Sequence, residues 1–331
     1  MIISRAPVRI SLGGGGTDLK SYYSKYGGFL IAGAIDKYLF ICANKRFYNS
    51  IRLSYSQTEI VNTYDEIKHG IFREALKFVR PNDGSGIELV SIADVPANCG
   101  LGSSSSFTVA LLNALHAYAR EYISQKQLAE EACTIEIQKL GEPIGKQDQY
   151  ISAFGGLTAM TFEKDGNVIV EPVKIQEEVR DELERNILLF YTGIERSASD
   201  ILKDQNEKSK KDDSAVLDSL HQIKKIGYET KKAFETGNLD KFGELLDVHW
   251  NNKKHLSKNI SNPFIDSCYD TALKNGALGG KIMGAGGGGF FMFYAPENHK
   301  ALTRAMKQKG LNPMKFRFDF DGAKILVNMK R

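Results

Sequence analysis

Apolar and polar positions alternate near the start of the chain, where Val8, Ile10 and Leu12 interleave with Arg9 and Ser11. A period of two predicts a half-buried strand with Arg9 on the face opposite the apolar residues. Phe29 to Lys45 predicts a further strand or strand pair, and Ile51, Leu53 and Tyr55 another. The spacing of Ile67, Ile71, Ala75, Leu76 and Val79 predicts an amphipathic helix, stopped by Pro81 and a turn at Asn82-Asp-Gly84. Ile87 to Val95 is a short apolar run. Phe107, Ala110, Leu111, Ala114, Leu115 and Tyr118 then fall at helical spacing. Ser124 and Gln127 open a helix to about Leu140 in capping-box style.

A hairpin follows, Leu157 to Phe162 and Val168 to Val173 about a turn at Asp165-Gly166. A charged helical stretch, Gln176 to Arg185, separates it from a buried strand at Ile187 to Tyr191, which puts a domain boundary near 183: residues 1–182 and 183–331. The second half is helix-rich. Ser197-Ala-Ser-Asp200 opens one helix, Val216 to Ile226 marks another, Phe242 to His249 a third and Phe264 to Asn275 a fourth. Phe290 to Tyr294 and Ile325 to Met329 are strands, with a helix at Ala301 to Gln308 between them.

The chemistry gathers around Val95 to Ser106, Val-Pro-Ala-Asn-Cys-Gly-Leu-Gly-Ser-Ser-Ser-Ser. This is strand, proline, glycine-rich loop and helix start. Gly100 and Gly102 let backbone approach a ligand closely. The first N–H groups of the helix lack intrahelical partners and, with the positive end of the dipole, make an anion site. The serine hydroxyls can cap the helix, bind phosphate or ligate a hard cation. Two glycines and four serines exceed what a cap needs, so phosphate binding is the favoured reading. No Gly-Lys-Ser/Thr closes the loop, so it is not a Walker A motif. Gly284-x-Gly286-x-x-Gly289 matches the dinucleotide fingerprint formally, but a strand follows it, which makes it a turn between strands.

Three other residues carry two readings each. Asp18, after Gly13-Gly-Gly-Gly16-Thr17, either caps a helix or serves a ligand loop. Glu136 shares a helical face with Ala129, Cys133 and Leu140. It must therefore be paired, with Lys139 or Lys146 for example, or bound to a cation. Asp148 lies on a short segment bracketed by glycines, a functional loop or a one-turn helix.

Composition narrows the class. The 331 residues carry 44 basic and 40 acidic side chains, a net charge of +4, with no basic stripe interleaved with aromatics. That disfavours a nucleic-acid protein. No apolar run is long enough to span a membrane and no signal-peptide pattern opens the chain, so a cytoplasmic protein is expected. Four scattered cysteines suit a reduced compartment. Cys99 sits inside the phosphate loop, where it is a small apolar filler or an oxidisable block. The six histidines show no metal-ligand spacing.

Three glycine-rich stretches in order resemble the GHMP kinase superfamily. They are Ala6-Pro7-Val8-Arg9 with Gly14-Gly-Gly-Thr17-Asp18, then Pro96 to Ser104, then Gly284-Ala-Gly-Gly-Gly-Gly289. Gly-Glu-Pro-Ile-Gly145-Lys-Gln-Asp148-Gln-Tyr and Tyr191 to Ser199 look most like the D-glycero-D-manno-heptose 7-phosphate kinases, with fucose-type sugar 1-kinases carrying related motifs. The resemblance implies a two-domain α+β fold. Its N-terminal half is like ribosomal protein S5 domain 2 and its C-terminal half is ferredoxin-like, each with a mostly antiparallel sheet and the site between them. It implies ATP, Mg²⁺ and a sugar phosphate as ligands and phosphorylation of an anomeric hydroxyl, toward a GDP-activated heptose for surface glycans.

Carried over by position, Pro96, Gly100, Leu101, Gly102, Ser103, Ser104 and Ser105 would wrap the ATP phosphates, and Ser104 and Glu136 would hold Mg²⁺. Asp148 would face the sugar hydroxyl with Arg9 beside it. An aspartate paired with arginine is a weak ground-state base, so it would accept the proton late or mainly orient the hydroxyl. Gly15, Gly16, Thr17, Asp18, Gly145, Gly286 and Gly287 would line the sugar site, with Arg196 and Lys281 candidates for the distal phosphate. Galactokinases carry Glu-His where this chain has Gly15-Gly16, a departure that opens space for a longer or phosphorylated sugar. Phosphorylation followed by elimination, as in diphosphomevalonate decarboxylases, and a non-catalytic sugar or ATP sensor are the other classes the superfamily holds. The oligomeric state stays open, a dimer included.

Overall fold

A computed structural model describes residues 1–81, 86–195, 198–210 and 213–329. The Asn82-Asp-Gly84 turn, Arg196 and Ser197 lie outside these residues. The backbone is organised by β2 (Gly28–Lys45), a single 18-residue strand where a strand or strand pair was expected. Antiparallel β1 (Ile2–Gly13) pairs along one edge of it. The other edge is shared by β5 (Ile87–Ala93) toward one end and β6 (Leu157–Phe162) toward the other, the latter continuing into β7 (Val168–Pro172). Two short strands, β3 (Ile51–Ser54) and β4 (Thr58–Val61), extend the sheet past β5. The β3–β5 pairing is its parallel step.

The last strand, β12 (Lys324–Asn328), pairs with β1 and so completes this first sheet. It thus crosses back over a division at 182/183. The preceding residues are threaded into the same sheet, with Asp36 N–H donating to Arg317 O and Asp319 N–H to Ala34 O, both at 2.9 Å. A second, all-antiparallel sheet has the order β11 (Asn312–Met314), β8 (Ile187–Tyr191), β10 (Phe290–Tyr294), β9 (Gly279–Ile282).

Eleven α-helices cover these sheets among the described residues. They are α1 (Lys20–Tyr26), α2 (Gly70–Val79), α3 (Ser103–Ala119), α4 (Gln125–Cys133), α5 (Gln147–Phe154), α6 (Glu177–Asn186), α7 (Ala198–Lys210), α8 (Ser214–Glu235), α9 (Leu239–Lys254), α10 (Pro263–Lys274) and α11 (His299–Gln308). Helix α3 is apolar on nearly every side and runs through the larger core, packed on β1 and β2, as a helix without a polar face must. A smaller core lies beneath the second sheet around Trp250, Phe291 and Phe293. Helix α8 joins the two, packing on β1 and β2 and stacking Tyr228 on Phe29 with ring centres 3.9 Å apart.

Ser124 caps α4 as expected, accepting the Gln127 N–H at 3.2 Å. The helix does not run unbroken to Leu140. Thr134–Lys139 is a π-helical turn, closed by the Leu140 N–H on Ile135 O at 3.0 Å. Such turns insert a residue into the helical register and often mark functional sites. Here the turn carries Glu136, whose carboxyl is buried.

Candidate active site

The site is built on backbone contacts between three loops. Leu101 O accepts the Arg9 N–H at 3.0 Å and Cys99 O accepts the Phe290 N–H at 3.1 Å, so the 96–102 loop is held between β1 and β10. Gly102 is the N-cap of α3 with φ 77°, and no side chain caps this helix. The Ser104 and Ser105 hydroxyls turn instead to Glu136. The first N–H groups of α3 therefore remain available to a ligand, the arrangement that favours anions.

Arg9 is 4% exposed, so the strand is not half-buried as its alternation predicts; β1 is buried on both faces from Ala6 onward. Its guanidinium forks onto Asp148, Nε to Oδ1 and Nη2 to Oδ2, both 2.7 Å, while Nη1 donates to Gly100 O at 2.5 Å. Such planar, two-pronged pairing fixes orientation as well as charge. Asp148 lies in the first turn of α5, a two-turn helix, and Gln147 Nε2 donates to its Oδ1 at 2.9 Å. Gly102 stands directly over this carboxylate, since a Cβ there would lie 2.9 Å from Asp148 Oδ2.

Glu136, 1% exposed, accepts from Ser104 Oγ at 3.0 Å and Gln149 Nε2 at 2.8 Å. Burial pushes its carboxyl up to about 7, against the pull of those hydrogen bonds. Neither lysine considered as a partner reaches it. Lys146 donates to Gly166 O and lies 3.7 Å from Glu130, and Lys139 sits over the Phe78 ring. Among the described residues no cation is paired with Glu136. A buried carboxyl beside a hydroxyl, with no basic partner, is a donor set that fits a hard divalent cation keeping most of its ligands from water and phosphate.

Asp18 is not a helix cap, because α1 has Leu19 at that position without a side-chain bond. Its Oδ1 accepts the Gly16 N–H and its Oδ2 the Gln147 N–H, each at 3.1 Å. Burial raises its pKa, opposed by these bonds and reinforced by the charge of Asp148. Gly145 passes so close that any Cβ would overlap the Asp18 carboxylate. Cys99 is fully buried and burial raises its thiol pKa, which supports the filler reading.

One cleft of about 290 Å³ collects most of the expected residues: Arg9, Gly15, Gly16, Asp18, Gly100, Gly102, Ser103, Ser104, Ser105, Glu136, Gly145, Asp148, Lys281 and Gly286. Four others stand back from it. Pro96 is exposed on the far side of the loop, and Leu101 is buried behind it. The Thr17 hydroxyl bonds Gly14 O and Phe29 O, holding the loop to β2, and Gly287 donates its N–H to Ile260 O. Arg196 is outside the described residues. The sequence reading passed over Ser11 and Gln147, joined by a 3.0 Å hydrogen bond, and also His249 and Lys253. His249 was legible as part of an apolar helical stripe, which hid its nitrogens.

An uncapped helix N-terminus with an Arg–Asp pair beside it lines one cleft, an arrangement suited to holding a phosphate next to a hydroxyl. The chain belongs to the GHMP kinase family. Models of the GHMP kinases N terminal domain and the GHMP kinases C terminal match residues 70–156 and 230–312. A D-glycero-alpha-D-manno-heptose 7-phosphate kinase of Campylobacter jejuni is 31% identical over 98% of both chains. An L-fucokinase/L-fucose-1-P guanylyltransferase of Bacteroides fragilis is 25% identical over 95% of this chain and 37% of its own. Among solved structures, a D-glycero-D-manno-heptose 1-phosphate kinase from Bacteroides thetaiotaomicron superposes with a TM-score of 0.83 at 26% identity, covering all of both chains. This protein is accordingly a sugar kinase, a phosphotransferase with an alcohol acceptor, of a family that uses ATP. No helix among the described residues is long and apolar enough to cross a membrane.

Proposed function

We propose that the protein transfers the γ-phosphoryl group of ATP to the anomeric C1 hydroxyl of D-glycero-D-manno-heptose 7-phosphate, giving the 1,7-bisphosphate. This step would lie on the way to a GDP-activated heptose for surface glycans. The observation that carries the chemistry is the fork of Arg9 on Asp148, beside the open N-terminus of α3. The substrate rests on the Campylobacter jejuni relative, matched end to end.

In this reading the N–H groups of Ser103 to Ser105 and the 100–102 loop hold the ATP phosphates. Asp148 accepts a hydrogen bond from the C1 hydroxyl and takes its proton as the new P–O bond forms, while Arg9 holds the carboxylate in place and offsets charge on the transferred group. Asp18 is held by two backbone N–H groups and faces the cleft to bond a sugar hydroxyl. Ser104 and Glu136 are the residues that would hold Mg²⁺, which when bound neutralises phosphate charge. Residues 1–182 would carry the nucleotide loop and 183–331 the opposite wall. Four unpaired cysteines support a reducing, cytoplasmic setting.

ATP consumption against heptose 7-phosphate, mannose 6-phosphate and fucose tests the reading. Turnover of the heptose phosphate alone is expected. Turnover of free fucose alone would keep the mechanism and replace the substrate by the one named for the Bacteroides fragilis relative. Binding of sugar and nucleotide with no turnover would turn the reading into that of a sensor.

A further inference from the structure

Next to the 100–102 loop, against which Gly284 packs, the second sheet and α9 present a cluster of basic groups. Lys281, on β9, is 2% exposed, and no carboxylate pairs with it among the described residues. His249, on α9, is also 2% exposed, and neither ring nitrogen has a hydrogen-bond partner. Lys253 lies one turn further along α9, on the same face. Its ammonium is anchored to Ile282 O at 2.8 Å and Gly284 O at 2.5 Å, leaving a third proton free. All three side chains line the cleft.

We propose that His249, Lys253 and Lys281 form a second phosphate subsite that holds the phosphate ester already carried by the acceptor. This rests on the sugar-phosphate kinase reading above.

A buried ammonium (Lys281), a half-buried one (Lys253) and a buried, unbonded imidazole are costly to fold together without an anion. Burial, and then mutual repulsion, push the charges of this cluster down: Lys281 well below its ordinary range under Lys253 and Arg9, Lys253 to about 7, and His249 far down. Arg9 is already paired with Asp148, so an anion entering here finds its counter-charge in the lysines, whose protonated forms its own charge would favour. A phosphate monoester supplies up to two negative charges and several acceptors, matching two ammoniums and one imidazole N–H. The uncapped N–H groups at the start of α3 are separate donors, free to serve the nucleotide's phosphates.

The test uses Lys281→Met, Lys281→Arg and His249→Gln in the full chain. Loss of one charge-assisted bond to phosphate corresponds to a rise of roughly 10- to 100-fold in KM for the phosphorylated sugar. Lys281→Met and His249→Gln should both show it, Lys281→Arg should recover part of it, and KM for ATP should hold. Inorganic phosphate should compete with the sugar phosphate and not with ATP, and that competition should vanish in Lys281→Met. Titration of inorganic phosphate by calorimetry is the independent arm. Binding to wild type but not to Lys281→Met supports the subsite even if heptose 7-phosphate proves not to be turned over, which would count against the substrate alone. Unchanged phosphate binding and sugar KM in both variants would overturn the subsite. A parallel loss of affinity for the ATP analogue AMP-PNP would reassign the cluster to the nucleotide's phosphates.

Discussion

Replacing Asp148 by asparagine keeps the side chain's size and removes its charge, which separates the structural from the chemical part of its role. The Arg9 side chain is only 5% exposed and gives up one arm of an ion pair, while its bond to Gly100 O persists. Breaking a fully buried pair costs about 3–5 kcal/mol. Asp148 is 23% exposed and opens on the cleft, so water can solvate the stranded guanidinium and the cost falls to roughly 1–2 kcal/mol. At about 2–4 °C per kcal/mol for large domains, Tm should drop by a few degrees. Turnover should fall far more, by about 10²- to 10⁴-fold, the contribution of a positioned proton acceptor. AMP-PNP affinity should hold, because the α3 N-terminus is untouched. The assay is kcat alongside differential scanning calorimetry. A second variant, Arg9→Met with Asp148→Asn, removes the stranded charge and should regain Tm without regaining turnover. A Tm drop accompanied by near-wild-type kcat would make the pair a strut between β1 and α5 and refute its chemical role.

Glu136→Gln keeps the side chain's shape, its single oxygen still accepting from Gln149 Nε2 and its amide donating to the Ser104 hydroxyl, so the protein should fold normally while half-maximal activity needs about tenfold more Mg²⁺ or beyond; an unchanged Mg²⁺ curve would remove Glu136 as a ligand. Gly102→Ala forces a Cβ against Asp148 at φ 77°. It should cost about 1–2 kcal/mol of stability and lower kcat without altering the acceptor's KM, and a fully active variant would show that the carboxylate is free to shift. His116 is held between Glu121 and Glu131, both at 2.7 Å. Burial alone would lower its pKa, but the two carboxylates outweigh burial and raise it above 6.5. A raised pKa in the fold contributes stability in full below the unfolded value and loses it as pH rises through the folded one. Urea denaturation should therefore show the gap between wild type and Glu131→Gln shrinking from pH 6 to pH 9, and a gap independent of pH would rule out a charged imidazole.

What the sequence made legible was local. Alternation located β1, helical spacing located α3, and the glycine-rich loops fell where a ligand cleft now lies. The hairpin at 157–173 and the turn between β9 and β10 also follow from short-range pattern. What escaped depends on partners distant in the chain. Asp18 looks like a cap until Gln147, far along the sequence, donates to it. Glu136 was expected to need a partner, but the π-turn that faces it to Ser104 has no periodic signal. Strands β4 and β11 are four and three residues long, too short for a pattern to emerge. Lys253 at the end of α9 looks like an ordinary basic residue at a helix C-terminus, a favourable position on dipole grounds alone. Its two carbonyl partners are Ile282, the last residue of β9, and Gly284 just beyond it.

The position of β12 explains how a site made from distant segments holds its geometry. Arg9 lies on a strand fixed at both edges: β2 pairs along one, and the other is held by the returning tail at Ile2–Arg5 and by Leu101 O at Arg9 itself. Where β2 shifts register between the partners of Pro7 and Val8, Asp36 is left out of the ladder and takes Arg317 instead, its N–H donating to Arg317 O and its carboxylate accepting the Arg317 N–H. Arg5, Tyr38 and Asp319 tighten the same seam, Arg5 lying over the Tyr38 ring while both donate to the Asp319 carboxylate. Gly156 N–H on Asp319 O and Ala323 N–H on Ala153 O then carry the tail to the end of α5, the helix that presents Asp148. One segment thus braces both members of the Arg9–Asp148 pair from behind. Residues 317–323 and β12 thereby belong to the scaffold behind the site, although none of them lines the cleft.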